Sequence, residues 1–204
     1  MLAHVAEKHY LYPKNTTDMP TTLYLVRHGQ TEENAANILQ GHLPGHLDAE
    51  GRAQAARLRE QLRNIPFDAL LCSDLLRCRD TAAILNEPHG LQPEYTPLLR
   101  ERDWGPFTGM DILKARTLID DRAETMDALF RRARTFLTDT ARRFDGSQVL
   151  VVSHGLFCRV LQAACLGLAI RAVPRMDNAE VRRVTLTLPL PANGGTEESG
   201  ATAN

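Results

Sequence analysis

The stretch Thr22–Thr31, TLYLVRHGQT, decides the fold class of this chain. Its first five residues predict a short buried strand, and the turn that follows carries Arg27, His28 and Gly29. Further along the chain, similar short apolar runs alternate with segments of helical periodicity. Strands that alternate with helices of this length form mainly parallel sheets. The sequence therefore predicts an α/β fold with three αβα layers, a mainly parallel sheet flanked by helices on both faces.

Three further strands and four helices are predicted outside this stretch. The strands are expected at Phe67–Cys72, Val149–Val152 and Arg183–Leu188, and the helices at Ala49–Asn64, Leu75–Asn86, Glu124–Phe144 and Leu156–Leu166. In the first helix, the predicted buried side carries Ala53, Ala56 and Leu62. In open α/β sheets ligands bind beyond the carboxyl ends of the strands, so residues that directly follow strands are the candidates for function.

Bulk properties of the 204 residues exclude several classes of function. The formal net charge of −1 and the pI of about 6.7 favour neither nucleic acid nor an anionic membrane as a partner. No apolar run approaches the ~20 residues of a membrane span, and residues 1–20 lack the apolar core of a signal peptide. The four cysteines form no CxxC pair, which is typical of reduced, buried thiols. We expect a cytoplasmic protein.

Composition divides the chain into one working domain and two flanking segments. The domain is expected over residues 21–190, without an internal repeat or linker. Residues 1–20 mix polar and aromatic side chains without a clear period and are interpreted as an extension of uncertain order. Residues 191–204, PANGGTEESGATAN, have almost nothing to bury and predict a disordered tail.

The turn after the first strand holds a candidate nucleophile. A neutral imidazole is nucleophilic near neutral pH because its unperturbed pKa is about 6.5, which makes His28 a candidate. The guanidinium of Arg27 can pair with phosphate oxygens in a bidentate fork, and Gly29 allows a ligand to approach the backbone closely. Taken alone, these three residues more often form a structural turn than a catalytic one.

The longer pattern RHGxTxxN, ending at Asn34, narrows these alternatives. Five fixed positions at roughly one in twenty each arise by chance in fewer than about one in a thousand chains of this length. The pattern is the signature of the histidine phosphatase superfamily, which includes the phosphoglycerate mutases and many small phosphatases, and the chain resembles that family. The resemblance implies that His28 carries the phosphoryl group and that Arg27, Thr31 and Asn34 contact or support the phosphate.

Two later segments fit the same family. His154 and Gly155 follow a predicted strand and resemble its second His-Gly pair, which implies a catalytic role for His154 and a phosphate contact for Gly155. The segment 73–82, SDLLRCRDTA, resembles the SDLxRAxxTA motif and implies that Arg77 binds phosphate, with Cys78 in place of the usual alanine. Without the resemblance, the His-Gly pair reads as a turn and Arg77 as a solvated charge.

A carboxyl group is needed to protonate the departing oxygen, which raises the rate by typically ~10²–10⁴. The segment 99–105, LRERDWG, continuing to Gly109, resembles the LxExxxGxxxG stretch of the family, which implies that Glu101 is the general acid. Asp103 is the less favoured substitute. Spacing alone would leave Glu101 as one of many solvated glutamates.

Weaker features lie outside these motifs. Glu124 is interpreted either as the start of a helix or as part of the pocket wall. His42 and His46 are four residues apart, but Pro44 excludes the regular helix that would make them a metal site. The resemblance places the variable pocket wall in residues 40–48 and 104–125. Several arginines predict a solvated face of the long helix, namely Arg131, Arg132, Arg134, Arg142 and Arg143.

The resemblance spans about Leu23–Leu188 and implies a metal-independent phosphomonoesterase without a cofactor. Its substrate would be a small phosphorylated metabolite, hydrolysed through a phosphohistidine on His28. Two alternatives remain open: a mutase-type phosphoryl transferase, and a non-catalytic phosphate-binding module. The fourteen residues between Gly109 and Glu124 are fewer than the mutases usually insert, which favours hydrolysis. The sequence does not specify the oligomeric state.

Overall fold

A computed structural model describes residues 19–192 of the chain. The expected extension and tail lie almost wholly outside these residues. Within this range the strands are β1 (Thr21–Arg27), β2 (Ala69–Ser73), β3 (Pro93–Thr96), β4 (Gln148–Ser153) and β5 (Val181–Leu186). The α-helices are α1 (Glu32–Ala35), α2 (Ala49–Leu62), α3 (Leu76–Asn86), α4 (Ile112–Arg116), α5 (Met126–Arg143) and α6 (Gly155–Leu166). Short 3-10 turns occupy Pro97–Leu99, Gly105–Phe107 and Ile170–Ala172.

These strands form one mixed sheet in the order β3-β2-β4-β1-β5. Strands β1, β2, β3 and β4 run parallel, and β5 pairs antiparallel with β1 at the edge. The register places Leu23 beside Val149 and Leu70 beside Leu150, so β4 lies at the centre. The predicted three-layer α/β fold is confirmed. Because β1, β2 and β4 are parallel, their carboxyl ends meet at one edge of the sheet.

Both faces of the sheet are buried under helices. Successive strand residues point to opposite faces, so the continuous apolar run in β4 serves both cores. Val149 and Val151 pack with α5 and α6, whereas Leu150 and Val152 pack with α2 and α3. The long helix α5 packs on the sheet through an apolar stripe, with buried residues Met126, Leu129, Phe130, Ala133, Phe136, Leu137 and Thr140.

The buried side of α2 differs from the prediction. Its buried residues are Gly51, Ala55, Leu58 and Leu62, whereas Ala53 and Ala56 are half-buried. A Cβ atom on Gly51 would lie 2.0 Å from the backbone oxygen of Gln30, so this close backbone contact fixes the rotation of the helix. Alanine side chains bury little apolar area and therefore discriminate poorly between the faces.

The bounds of β5 also differ, and several short elements were not predicted. The strand runs from Val181 to Leu186, two residues earlier than expected, because its partner β1 pairs with it only from Val26 back to Thr21. Elements β3, α1 and α4 are four or five residues long, too short for a periodic pattern to identify them.

Candidate active site

The strand-end residues named by the motifs converge at the carboxyl edge of the sheet. His28 follows β1, His154 follows β4, and Ser73 is the last residue of β2. The two imidazole ring centroids lie 5.3 Å apart with an interplanar angle of 65°. Residues separated by more than one hundred positions are therefore brought together by the parallel pairing of β1 and β4.

The ring of His28 is held in one tautomer. Its Nδ1 lies 2.7 Å from the carbonyl oxygen of Gly29, which can only accept, so Nδ1 carries the hydrogen and Nε2 keeps its lone pair. The side chain is buried but lines the central cavity. Burial lowers the pKa of His28 well below its usual value, and the charges of Arg77 and Arg27 lower it further. The imidazole therefore remains neutral and nucleophilic at neutral pH.

Packing requires glycine at position 29, for a reason that the sequence does not reveal. A Cβ atom there would lie 2.5 Å from the backbone oxygen of Gly51 in α2, so glycine is required for the helix to pack against this turn. Its backbone nitrogen also donates to the Thr81 hydroxyl at 3.1 Å. The turn that carries the nucleophile is thus held by packing against α2 and by the hydrogen bond to Thr81.

Arg27 presents an unused donor at the site. Its NH1 donates to the carbonyl oxygen of Met176 at 2.7 Å, whereas its Nε is buried and has no hydrogen-bond partner. A Cβ atom on Gly155 would lie 3.1 Å from that Nε, so Gly155 leaves room for the guanidinium. Both residues line the cavity. A buried cationic N–H without a partner is costly, and a bound anion would satisfy it.

Arg77 is buried and shapes the loop that follows residue 40. It lies in the first turn of α3, as predicted, lines the cavity, and is 1% exposed. Its guanidinium donates to three backbone carbonyls of this loop, those of Gly41, Leu43 and Pro44. Arg77 therefore holds one cavity wall in place while it contributes positive charge to the cavity.

His154 is the partner of Arg77 beneath the cavity. Its Nδ1 accepts from Arg77 Nε at 3.2 Å, and its Nε2 lies 2.9 Å from the Ser73 hydroxyl, to which it donates. Burial lowers the pKa of His154 well below its usual value, and the charge of Arg77 adds to this. The ring is fully buried and does not line the cavity. It is a neutral residue held between Arg77 and Ser73.

Cys78, which replaces the family's alanine, packs against this histidine. Its Sγ lies 3.4 Å from His154 Nε2 and 3.3 Å from the backbone oxygen of Ser153. Burial raises the pKa of the Cys78 thiol to about 12. The thiol therefore stays neutral and acts as a small packing residue.

Thr31 and Asn34 form the capping box of α1. The Thr31 hydroxyl accepts from Asn34 N at 3.1 Å, and Asn34 Oδ1 accepts from Thr31 N at 3.3 Å. Asn34 lines the cavity, whereas Thr31 is fully buried outside it. Asn178, which the motifs did not identify, donates from Nδ2 to both Asn34 Oδ1 and the backbone oxygen of His28. This amide joins the first motif to the segment before β5.

Glu101 lies in the cavity with its carboxylate held by two backbone amides. Oε1 accepts from Arg102 N at 2.9 Å, and Oε2 accepts from Leu156 N at 3.2 Å in the first turn of α6. A helix N-terminus favours a carboxylate at this place. Asp103 is exposed and accepts from the backbone of Gly105, away from the cavity. The geometry therefore favours Glu101 over Asp103 as the acid.

The acid loop, residues 98–103, is anchored from α5 by Arg132. Its NH1 donates to the carbonyls of Leu98 at 2.9 Å and Arg100 at 2.6 Å, and its NH2 donates to that of Glu101 at 3.2 Å. Arg132 also forms an ion pair of 2.8 Å with Glu124, and both side chains are 16% exposed. The prediction of a solvated face is thus wrong for Arg132.

The apolar pattern of α5 in the sequence indicates that Arg132 is partly buried. Arg132 lies three residues after Leu129 and four before Phe136, at the edge of the buried face, whereas its neighbour Arg131 is exposed. Glu124 lies just before the N-cap of α5, Thr125, and is absent from the cavity wall. Its interpretation as part of the pocket wall is therefore wrong.

A second ion pair anchors the acid loop to the end of β2. Arg100 donates to both carboxylate oxygens of Asp74, from Nε at 2.8 Å and from NH2 at 2.5 Å. These hydrogen bonds lower the pKa of Asp74. The Arg100 side chain therefore binds Asp74 rather than Glu101. Asp74 of the segment 73–82 thus helps to hold the acid loop.

The cavity has a volume of about 510 Å³. Residues of the 40–48 loop, Trp104 and α4 contribute to its lining, in the segments where the pocket wall is expected. Six arginines and one carboxylate, that of Glu101, supply its charged groups; the arginines are Arg27, Arg77, Arg102, Arg116, Arg159 and Arg175. A cavity of this charge and size suits a small anionic ligand.

Neither a cluster of metal ligands nor a long apolar helix occurs within residues 19–192. Within this range, no group of three or more histidine, cysteine, aspartate or glutamate side chains is arranged to hold a metal ion. Over the same range, no helix combines the length and the apolar composition that crossing a bilayer requires.

Comparison with known proteins agrees with this geometry. The sequence model of the histidine phosphatase superfamily (branch 1) matches residues 23–189. A probable phosphatase of Schizosaccharomyces pombe is 35% identical over 151 residues, covering 69% of this chain and 71% of the relative. A probable phosphoglycerate mutase of Enterobacter sp. is 33% identical over 179 residues, covering 79% and 83%.

A solved structure extends the agreement to the backbone. The mycobacterial glucosyl-3-phosphoglycerate phosphatase matches with a TM-score of 0.75 and 27% sequence identity, covering 81% of this chain and 90% of its own. The match to the family model spans all the motif residues assembled at the cavity, from Arg27 to Gly155. As those motifs predict, the chain belongs to the histidine phosphatase superfamily.

Proposed function

We propose that this histidine phosphatase hydrolyses a small phosphomonoester through a phosphohistidine on His28. The observation that carries the proposal is the fixed tautomer of His28, which leaves the Nε2 lone pair free on a residue that lines one cavity with Arg27 and Glu101. A nucleophile, a phosphate-binding cation and a carboxyl acid are thereby available to one bound ester.

In the first step, Nε2 of His28 attacks phosphorus in line, an N–P bond forms, and the P–O bond to the alcohol breaks. Arg27 binds nonbridging oxygens through its unpartnered Nε, and Arg77 adds positive charge as the transferring group passes. Asn34 and Gly155 line the same end of the site. Glu101 acts as the general acid and gives a proton to the leaving oxygen.

In the second step, Glu101 acts as a base and takes a proton from water, whose oxygen attacks the phosphohistidine. The N–P bond breaks, inorganic phosphate forms, and His28 returns to its neutral state. For His154 we assign a positioning role through Arg77, whose Nε donates to Nδ1 of His154 while Nε2 of His154 donates to the Ser73 hydroxyl. Thr31 supports the site indirectly by capping α1.

Hydrolysis is favoured over mutase-type transfer by the short cover of the cavity. The residues between Gly109 and Glu124 contain one helix, α4, of five residues. Water therefore has access to the phosphoenzyme, whereas a mutase must exclude it. Both probable phosphatases and probable phosphoglycerate mutases are relatives of this chain, so the mutase remains the second candidate.

A panel of phosphate esters, assayed at matched concentrations for inorganic phosphate and for isomerised ester, tests the proposal. We expect phosphate release from p-nitrophenyl phosphate and from several metabolite phosphates, and loss of turnover in His28→Ala. His46→Ala is the control, because His46 is an exposed histidine of the 40–48 loop and does not line the cavity. Isomerisation without phosphate release would identify a mutase, and equal turnover in His28→Ala would contradict the mechanism.

We also propose that the enzyme works in the cytoplasm on a small-molecule substrate, without a nucleic-acid or membrane partner. All four cysteines are buried and unpaired, which supports a reducing compartment because disulfides persist mainly in oxidising ones. Fractionation of cells that produce the tagged protein tests the location; recovery in an oxidising compartment would contradict it.

A further inference from the structure

The cavity is larger and more cationic than one phosphate requires. Arg27 and His28 mark the end where phosphoryl transfer occurs, yet the cavity continues to α4 and to the segment after the 3-10 turn at Ile170–Ala172. Small-ligand pockets typically have volumes of roughly 300–1,000 Å³, so the 510 Å³ here accommodates a whole metabolite. The positive charge in the rest of the cavity is therefore available to the part of the substrate beyond the transferred phosphoryl group.

Four of the six cavity arginines already bind other groups of the protein. Arg77, Arg102 and Arg159 donate to backbone carbonyls, and Arg27 donates to that of Met176. These contacts fix their guanidinium groups as parts of the wall. They leave the charge of two further arginines to be explained.

Arg116 and Arg175 are those two arginines. Both are exposed and line the cavity, so they lie at its open end. Among residues 19–192, neither side chain has a hydrogen bond or an ion pair, although both line the cavity. Cations that face a cavity without a partner are suited to bind an anionic ligand.

The backbone around Arg175 is anchored by two other arginines. The carbonyl of Arg175 accepts from Arg182 NH2 at 2.6 Å, and the carbonyl of the next residue, Met176, accepts from Arg27 NH1. Arg116 reaches the cavity from α4, whose side chains Ile112 and Ile119 also line it. The two arginines thus come from two separate elements at the mouth of the same cavity.

We infer that Arg116 and Arg175 form a subsite for a second anionic group, a carboxylate or a phosphate, on the substrate. This inference rests on the proposed function, since the first anion is the phosphoryl group transferred to His28. The substrate class is then a phosphomonoester that carries another anion at its opposite end. Uncharged sugar or alcohol moieties leave both arginines unpaired and bind more weakly.

Matched pairs of competitors test the subsite. Glycerol 1-phosphate and 3-phosphoglycerate differ by a carboxylate, and fructose 6-phosphate and fructose 1,6-bisphosphate differ by a phosphate. Each is measured as an inhibitor of p-nitrophenyl phosphate turnover, and by calorimetric binding to His28→Ala protein, which does not depend on turnover. We expect the member with the second anion to bind about tenfold more tightly in at least one pair, and that pair identifies the anion.

The ratio of the two affinities within a pair should fall toward unity in Arg116→Gln/Arg175→Gln. We expect each arginine to account for about three- to fivefold, because partly exposed ion pairs are weak. The control Lys114→Gln/Arg171→Gln removes two exposed cations from the same two regions that do not line the cavity, and should keep the ratio. A ratio near one in the unmodified protein for both pairs, or an unchanged ratio in the double variant, would overturn the subsite. Absence of turnover with an intact binding ratio would instead overturn the proposed function.

Discussion

The acid loop offers the sharpest prediction, because one side chain of α5 holds it. In Arg132→Leu the three hydrogen bonds to the carbonyls of Leu98, Arg100 and Glu101 are lost, together with the ion pair to Glu124. Breaking a buried pair by removal of one partner costs about 3–5 kcal/mol. Since both side chains are 16% exposed, we expect the lower end, a fall of about 3 kcal/mol in the free energy of unfolding.

The same substitution should separate substrates by their leaving groups. Glu101 protonates a departing alkoxide, whereas p-nitrophenolate leaves as a stable anion and needs the acid much less. Loss of general-acid catalysis costs typically ~10²–10⁴ in rate, so kcat/KM for an alkyl phosphate should fall about a hundredfold. The value for p-nitrophenyl phosphate should fall far less. The parameter kcat/KM is chosen because it reports only the steps up to formation of the phosphoenzyme.

Matched variants keep this prediction testable. Arg131→Leu removes the exposed neighbouring arginine and should change neither the stability nor the ratio of the two kcat/KM values. Arg132→Lys retains the charge but not the fork, and should show an intermediate ratio. The reasoning is refuted if folded Arg132→Leu protein, checked by circular dichroism, loses activity equally on both substrates or on neither.

Four further predictions concern the rest of the site. Burial lowers the pKa values of His28 and His154, so below pH ~6.5 the unfolded chain binds more protons than the folded chain. The free energy of unfolding should therefore fall as the pH is lowered, by up to about 3 kcal/mol per pH unit when both histidines contribute. Urea denaturation over a pH series checks this, and His28→Asn should halve the slope; an unchanged slope would contradict it. Gly155→Ala should displace Arg27 by a few tenths of an ångström and weaken inhibition by inorganic phosphate about three- to tenfold, measured as Ki. Thr31→Ala should cost about 1 kcal/mol of stability in thermal unfolding, with Thr31→Ser retaining it, because the hydroxyl caps α1. Dialysis against EDTA should leave kcat unchanged, because arginines neutralise the phosphate charge; loss of activity that an added metal restores would show otherwise.

The sequence was sufficient for the parts of the fold that depend on local periodicity. Apolar runs located β1, β2 and β4, and the stripe of α5 located its buried face, because burial on both sides of a sheet or on one side of a helix is visible in adjacent residues. The motif residues His28 and His154 directly follow β1 and β4, and Arg77 lies in the first turn of the helix that follows β2. Their convergence was therefore predictable from the parallel order of the strands.

Long-range contacts were not predictable in the same way. Arg132 lies at the edge of the apolar stripe of α5, which indicates partial burial, but nothing local identifies the carbonyls some thirty positions away that it contacts. Asn178 and Arg175 reach the site because β5 pairs back onto β1, a topology that spacing does not reveal. Glycine at position 29 reflects a backbone contact with α2 that only packing shows.

The central claim is that His28 carries the phosphoryl group on Nε2, and rapid quenching tests it most directly. The protein is mixed with a phosphate ester, quenched in base during the first turnover, digested, and examined by mass spectrometry and by NMR of the phosphopeptide. The structure predicts one acid-labile phosphoryl group on the peptide that contains His28, at Nε2, because Nδ1 donates to Gly29. A label on His154, a label at Nδ1 of His28, or turnover without any phosphohistidine would contradict the account.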